Sequence, residues 1–166
     1  HVYDAKKLKG NLQIRYATKG ETLSALDDKK YTLDDSMLVV ADDATPQALA
    51  GIIGGNDSGC DEATTDVLLE VALFDPITVA QTGRKLDILT DSRYRFERSV
   101  DPKFMEDGAN IATALILELC GGNASKLNIS GKTPLPRKPI DFDHNIIKQQ
   151  GGVDISNKDI DRILTN

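Results

Sequence analysis

Cysteine is scarce in this sequence: Cys60 and Cys120 are the only two in 166 residues, and they form no C-x-x-C pair. That excludes the dense disulfide framework of small secreted domains and fits a reducing cytoplasm. Histidine is as rare, with His1 and His144, and these four residues lack the close ligand spacing of a zinc site. Basic charge is in deficit, 20 Lys and Arg against 26 Asp and Glu for a net charge of −6. A surface built to grip nucleic acid by itself is therefore not expected, because phosphate binding draws on clustered Lys and Arg. No apolar run approaches the ~20 residues of a membrane span, and no charged-then-apolar leader is present. What is there is ordinary for a globular chain, 40% apolar and 28% charged. The length suffices for one domain with a real core plus a fragment of another.

The stretch from Ala48 to Asp101 organises the rest. Leu49-Ala50-Gly51-Ile52-Ile53-Gly54-Gly55 and Val67-Leu68-Leu69-Glu70-Val71-Ala72-Leu73-Phe74 both read as buried strands, being short apolar runs bounded by turn residues. Glu70 stands out, since burying an unpaired carboxylate costs several kcal/mol, roughly. Its side chain either emerges at a solvated face or points into a pocket. Gly54 and Gly55, without Cβ atoms, let a ligand or another backbone come close. A carboxylate facing a glycine-floored space has the makings of a recognition site.

Upstream, the chain opens abruptly on His1-Val2-Tyr3-Asp4, without an initiator Met, which reads as a piece of a longer protein. Leu12 to Tyr16 alternates as a half-buried strand, and a second strand begins at Gly20 to Leu23. The turn Asp27-Asp28-Lys29-Lys30 leads into Tyr31-Thr32-Leu33, so residues 12–33 form a meander or hairpin. Met37 to Ala41 is a further strand. The paired aspartates at 27–28, 34–35 and 42–43 invite a metal reading, but Asp is a common turn former and each pair sits where the pattern changes.

Downstream, Asp75-Pro76 is an N-cap followed by Pro at the first helical position, and it starts a short helix. Asp101-Pro102 repeats the device and launches the longest helix, 102–120, with Met105, Ile111, Ala112, Leu115, Ile116 and Leu119 on one face and Gly121-Gly122 as the stop. Between the helices, residues 84–98 hold five basic side chains (Arg84, Lys85, Arg93, Arg95, Arg98) against Asp87, Asp91 and Glu97. Such a patch either meets a phosphate backbone or closes on itself through ion pairs among Arg95, Arg98, Glu97 and Asp101. The proline-rich residues 131–139 read as a linker. Beyond them lie an edge strand at Ile140 to Phe142, a helix over 144–150 and a second helix that Ser156 caps in register with Asp159. The expected class is α+β, with mixed and antiparallel sheets packed on the long helix. Residues 1–130 form the main domain, and 140–166 begin a second, small α/β segment.

These residues carry a resemblance. Leu49 to Gly55, Thr64-Thr65-Asp66-Val67-Leu68-Leu69-Glu70, Phe74-Asp75-Pro76, and Thr90-Asp91-Ser92-Arg93-Tyr94-Arg95-Phe96-Glu97-Arg98-Ser99-Val100-Asp101-Pro102, in this order and at this spacing, resemble the central domain of bacterial phenylalanyl-tRNA synthetase β subunits. The likeness covers residues 1 to about 130, and the tail from Pro139 resembles the start of the following domain of that subunit. It implies an editing pocket that hydrolyses tyrosine mistakenly attached to phenylalanine tRNA. The matching pocket positions are His1, Gly54, Glu70 and Ser92, with Glu70 accepting the hydrogen bond from the tyrosine phenol. Ser92 stands where the family usually has alanine, and Ser99 where it usually has glycine. A Thr-Asn pair of the family's pocket lies upstream of the position matching His1, so the isolated segment is expected to be inactive.

The resemblance further implies phenylalanine tRNA and the synthetase α subunit as partners in an α2β2 enzyme, no membrane, and a cytoplasmic location. ATP and magnesium serve the full synthetase, and no cofactor is expected in this segment. No nucleophile triad is visible, so attack by water on the aminoacyl ester is the mechanism implied. Two competing classes are a structural module, in which Glu70 is satisfied by backbone amides or an arginine such as Arg95, and a free-standing small-ligand-binding protein.

Overall fold

The computed structural model describes residues 1–132 and 140–165, and the chain divides into two compact units, His1–Thr133 and Pro134–Asn166. The first unit is α+β, as expected. Strand β2 (Gln13–Tyr16) pairs antiparallel with β5 (Leu38–Ala41), which pairs with β6 (Pro46–Leu49), which pairs with β7 (Ile53–Gly54). Two smaller antiparallel ribbons join β1 (Val2–Asp4) to β8 (Val67–Leu69), and β3 (Thr22–Ser24) to β4 (Lys30–Thr32). The hairpin expected within residues 12–33 is β3–β4, with its turn at Ala25 to Lys29. β2 leaves that hairpin and finds β5 instead.

The core lies where β5 and β6 meet the first helix. Val39, Val40, Ala41 and Leu49 are fully or nearly buried, with Leu23, Leu33, Met37, Ile52 and Phe74 around them. Helix α1 (Pro76–Lys85) contributes Val79. It starts as the sequence demands: the Asp75 carboxylate accepts from the Thr78 amide at 2.7 Å, and Pro76 occupies the first turn, where its missing N–H costs nothing. The paired aspartates are turn residues. Asp34 accepts from the Ser36 amide, and Asp42 accepts from the amides of Lys9, Ala44 and Thr45.

Three expectations are revised. The run Leu49 to Gly55 is not one strand, because Gly51 takes a φ of +70° and reverses the chain between β6 and β7. The run Val67 to Phe74 is strand only to Leu69, and Val67 and Leu68 are exposed, because β8 is half of a two-stranded ribbon rather than the centre of a sheet. Apolar composition alone does not distinguish the two. The long helix forms, as a 3₁₀ turn over Pro102–Phe104 that continues into α3 (Met105–Cys120), but it buries only Ala109 and leaves Ile111, Leu115 and Leu119 exposed. Its apolar stripe is real, yet the buried strands around Ile52 do not cover it; periodicity reveals a face and not what lies on it.

A helix that the sequence pattern did not reveal, α2 (Asp91–Phe96), occupies the segment between the two anticipated helices. It is six residues long, too short to display a repeating stripe, and its signal is the Thr90 cap accepting from the Arg93 amide at 3.0 Å. In the second unit, α4 (Asn145–Gly151) and α5 (Asn157–Thr165) form, and Ser156 exchanges hydrogen bonds with Asp159 as expected. Ile140 to Phe142 form no strand, since a three-residue apolar pattern needs a partner strand to supply its hydrogen bonds. The linker expected over 131–139 falls, for 133–139, outside the described residues.

Leu49, 1% exposed at the centre of this core, is expected to cost about 2–5 kcal/mol on replacement by Ala. Leu119→Ala, at a site 73% exposed, should stay within about 0.5 kcal/mol. Urea unfolding of the two variants checks the contrast.

Candidate functional site

The register of the first ribbon brings the two ends of the site together. Val2 lies opposite Leu69, so the next pair along is His1 opposite Glu70, and the Glu70 amide donates to the His1 carbonyl at 2.8 Å. By the two-residue period of a strand, Tyr3 shares a face with His1. The two rings lie 4.4 Å apart between centroids, tilted by 51°. As the diagonal neighbour of Glu70, Tyr3 reaches its carboxylate, and the phenol donates to Oε2 at 2.8 Å. Tyr3 is fully buried. Burial first, and then the adjacent Glu70 charge, push its phenol well above the usual tyrosine range, so it remains a donor.

The opposite wall is the β6–β7 reversal. Gly54 has no room for a side chain of its own: a Cβ there would fall 2.8 Å from His1 Nε2 and closer still to Cε1. The space its missing side chain leaves is taken by the His1 ring. Gly55 has a different reason to be glycine, because a Cβ would strike the Gln47 carbonyl at 2.7 Å. Ser92, in the first turn of α2, donates through Oγ to the Gly51 carbonyl at 3.0 Å, and Thr90 donates to the Ile52 carbonyl at 2.7 Å. These two hydroxyls fasten α2 to the reversal. Phe74 and Phe96 pack at 5.3 Å between centroids and press on Gly51.

Between these walls lies a cavity of about 470 Å³ whose lining includes His1, Gly54, Glu70 and Ser92, together with apolar side chains such as Ile53, Phe74 and Phe96. The four candidate residues thus come from four separate stretches and meet in one space. Glu70 is the one carboxylate in that lining. It is half-buried rather than central to a sheet, which removes the conflict between a strand interior and its charge. Its partner is Tyr3, not a backbone amide or Arg95. Tyr3 is a site residue that no motif marks, and its one signal in the sequence is its position two residues after His1, on the same strand face.

The basic stretch 84–98 closes on itself in part. Arg93 is buried, donates to Glu97 at 3.0 Å and to the Ile88 carbonyl at 2.7 Å, and lies against Gly83, where a Cβ would displace it. Arg98 reaches Glu97 at 2.8 Å and covers the Tyr94 ring at 3.8 Å. Lys85 pairs with Asp34. Burial opposes ionisation of Glu97, but Arg93 and Arg98 outweigh it and hold the carboxyl below its usual value. Of the ion pairs expected among Arg95, Arg98, Glu97 and Asp101, the Arg98–Glu97 pair forms; Arg93 takes the place expected for Arg95 on Glu97, and Asp101 instead caps the Lys103 amide at 2.9 Å. Among the described residues, no group of three or more His, Cys, Asp and Glu side chains is placed to hold a metal ion. No helix among them is long and apolar enough to cross a membrane.

Residues 1–121 match the family described as the B3/4 domain. The chain belongs to the B3/4 domain family. Across nearly its whole length it is also similar to phenylalanine–tRNA ligase β subunits. It is 52% identical over 164 residues to that of Brucella suis, covering 99% of this chain and 20% of the relative. It is 52% identical over 166 residues to those of Paramagnetospirillum magneticum and Rhodopseudomonas palustris, covering all of this chain and 21% of each. The chain spans about one fifth of the length of the curated relatives it matches. In this B3/4 domain the family match ends at residue 121, just after α3, and the cavity lies wholly inside it.

Because a Cβ on Gly55 meets backbone whereas one on Gly54 meets a side chain that can turn away, the two glycines should respond differently. Gly55→Ala is expected to cost about 1–3 kcal/mol by overpacking, and Gly54→Ala clearly less. Thermal unfolding of both variants measures the difference.

Proposed function

We propose that this B3/4 domain is the editing segment of a phenylalanine–tRNA ligase β subunit, and that its cavity receives the tyrosyl end of a mischarged phenylalanine tRNA for hydrolysis. The observation that supports this reading most is the meeting of His1, Gly54, Glu70 and Ser92 in one cavity whose sole carboxylate is Glu70. The volume, about 470 Å³, falls in the usual range for small-ligand pockets. Its apolar wall suits an aromatic ring, and Glu70 suits the hydroxyl at the ring's end. Phenylalanine would fit the same wall but leave the carboxylate oxygen not held by Tyr3 without a donor, and discrimination by an unmet buried acceptor reaches at most about 10⁴ to 10⁵.

Hydrolysis on this reading is attack by water on the ester carbon. The Ser92 hydroxyl is already engaged with the Gly51 carbonyl rather than with a base, so it is a wall residue and not a nucleophile. Water oriented by backbone groups or by the tRNA itself then performs the attack, with backbone donors stabilising the oxyanion. Charging of phenylalanine, with ATP and magnesium, belongs to the full ligase and its α subunit in the cytoplasm. Residues 140–165 belong on this reading to the beginning of the next domain, joined to residues 1–130 by the 131–139 linker.

A structural reading has one observation in its favour, the hydrogen bond by which Glu70 already has a partner in Tyr3. Glu70→Ala in the intact ligase separates the two. Editing predicts that clearance of tyrosyl-tRNA falls about ten- to hundredfold, the worth of one charge-assisted hydrogen bond, with phenylalanine charging unchanged. Clearance at the unmodified rate leaves only the structural reading.

A further inference from the structure

We propose that Tyr3 is a positioning residue for editing: by donating to Oε2 of Glu70 it fixes the carboxylate and presents Oε1 alone to the cavity, so that the pocket reads a single hydroxyl. The inference rests on the editing reading above. Its geometry is independent of that reading. Tyr3 has no exposed surface and does not line the cavity, so it touches Glu70 from behind and nothing that the cavity holds. The hydrogen bond is 2.8 Å long. The ring is clamped by its strand pairing opposite Leu68 and by the His1 ring above it. A glutamate with no such partner samples several rotamers, and ordering it on binding costs conformational entropy. Here that cost is met by folding, before any substrate arrives.

Two consequences follow from the chemistry of a carboxylate. It has two acceptor oxygens, each able to take a hydroxyl, and an unclaimed second oxygen would leave the pocket with an unmet acceptor when a single phenol binds. Tyr3 satisfies that oxygen permanently. It also forces Glu70 to bind through one oxygen of known direction, which places the ring of the bound residue, and hence its ester, relative to the opposite wall. The hydroxyl of Tyr3 is thus a built-in counterpart of the hydroxyl the site recognises: the same donor on the same carboxylate, from the other side.

The test uses the intact ligase, α subunit included, with Tyr3→Phe, Glu70→Ala and the double variant, measuring KM and kcat for clearance of tyrosyl-tRNA and phenylalanyl-tRNA. Tyr3→Phe keeps the buried ring and removes only the donor. The expected result is a rise of about tenfold in KM for tyrosyl-tRNA, kcat within about twofold, and an equal loss of preference over phenylalanyl-tRNA, with no further effect in the Glu70→Ala background. Unchanged KM and preference, faster clearance, or an effect that persists without Glu70 overturns the inference while leaving the editing reading intact. If instead Glu70→Ala leaves clearance untouched, the editing reading itself fails, and the inference with it. Should Tyr3→Phe not assemble, Glu70→Gln decides. A pinned amide oxygen leaves only NH₂ facing the cavity, so that O-methyltyrosyl-tRNA, which can only accept, is cleared as well as tyrosyl-tRNA within about twofold, whereas an amide free to flip offers its oxygen and still favours the donor phenol about tenfold, which overturns the role of Tyr3.

Discussion

Between β6 and β7 the backbone reverses at Gly51 with a φ of +70°, and the two carbonyls turned outward there, those of Gly51 and Ile52, are taken by the hydroxyls of Ser92 and Thr90. Much of the pocket depends on that reversal. It ends β6, aims Gly54 at His1, and gives α2 a fixed point of attachment. A side chain at Gly51 would be strained by its dihedral angle and would crowd Phe96 and Phe74 at 3.0–3.1 Å. The aromatic end of the cavity and its glycine wall are therefore set by one backbone conformation.

The other wall is organised by a two-stranded ribbon that has little burial of its own. β1 and β8 are three residues each, and Val2, Val67 and Leu68 are exposed. Isolated ribbons of that size are marginal. Tyr3 compensates: fully buried, it joins the core and carries both His1 and Glu70 with it through ring packing and a hydrogen bond. Asp4 adds a polar tie, accepting from the Lys6 amide and the Thr64 hydroxyl. The ribbon is thus held by a buried side chain at its middle and a polar tie at Asp4 in addition to its ladder.

Several charges of the basic stretch serve internal order. The basic stretch before α3 resolves into a buried Arg93, a shared Glu97 and an arginine over Tyr94, with Lys85 reaching Asp34. A local excess of positive charge in sequence thus says little about a phosphate-binding surface. Long basic side chains bury their stems and find carboxylates nearby.

Caps, turns and the α+β class were legible in the sequence because each rests on local chemistry: Asp75 with Pro76, Ser156 with Asp159, and the aspartates of the turns act within a few residues of themselves. The pocket positions His1, Gly54, Glu70 and Ser92 were legible as a set only through the ordered motifs they share with a known family, and the structure places them in one cavity. Three things were not legible. Whether an apolar run is a central strand or an exposed ribbon depends on its neighbours, and the residues of β8 do not carry that information. A six-residue helix such as α2 has no period to read. The partner of Glu70 was decided by strand register: only the pairing of Val2 with Leu69 makes Tyr3 its diagonal neighbour. By itself the sequence determined the helix starts and turns that Asp, Ser and Pro mark, since those signals are short-range. Tertiary structure alone decided which faces are covered, that the room beside Gly54 belongs to His1, and that the carboxylate of Glu70 is held by a buried phenol, because contacts between residues more than fifty positions apart leave no local trace.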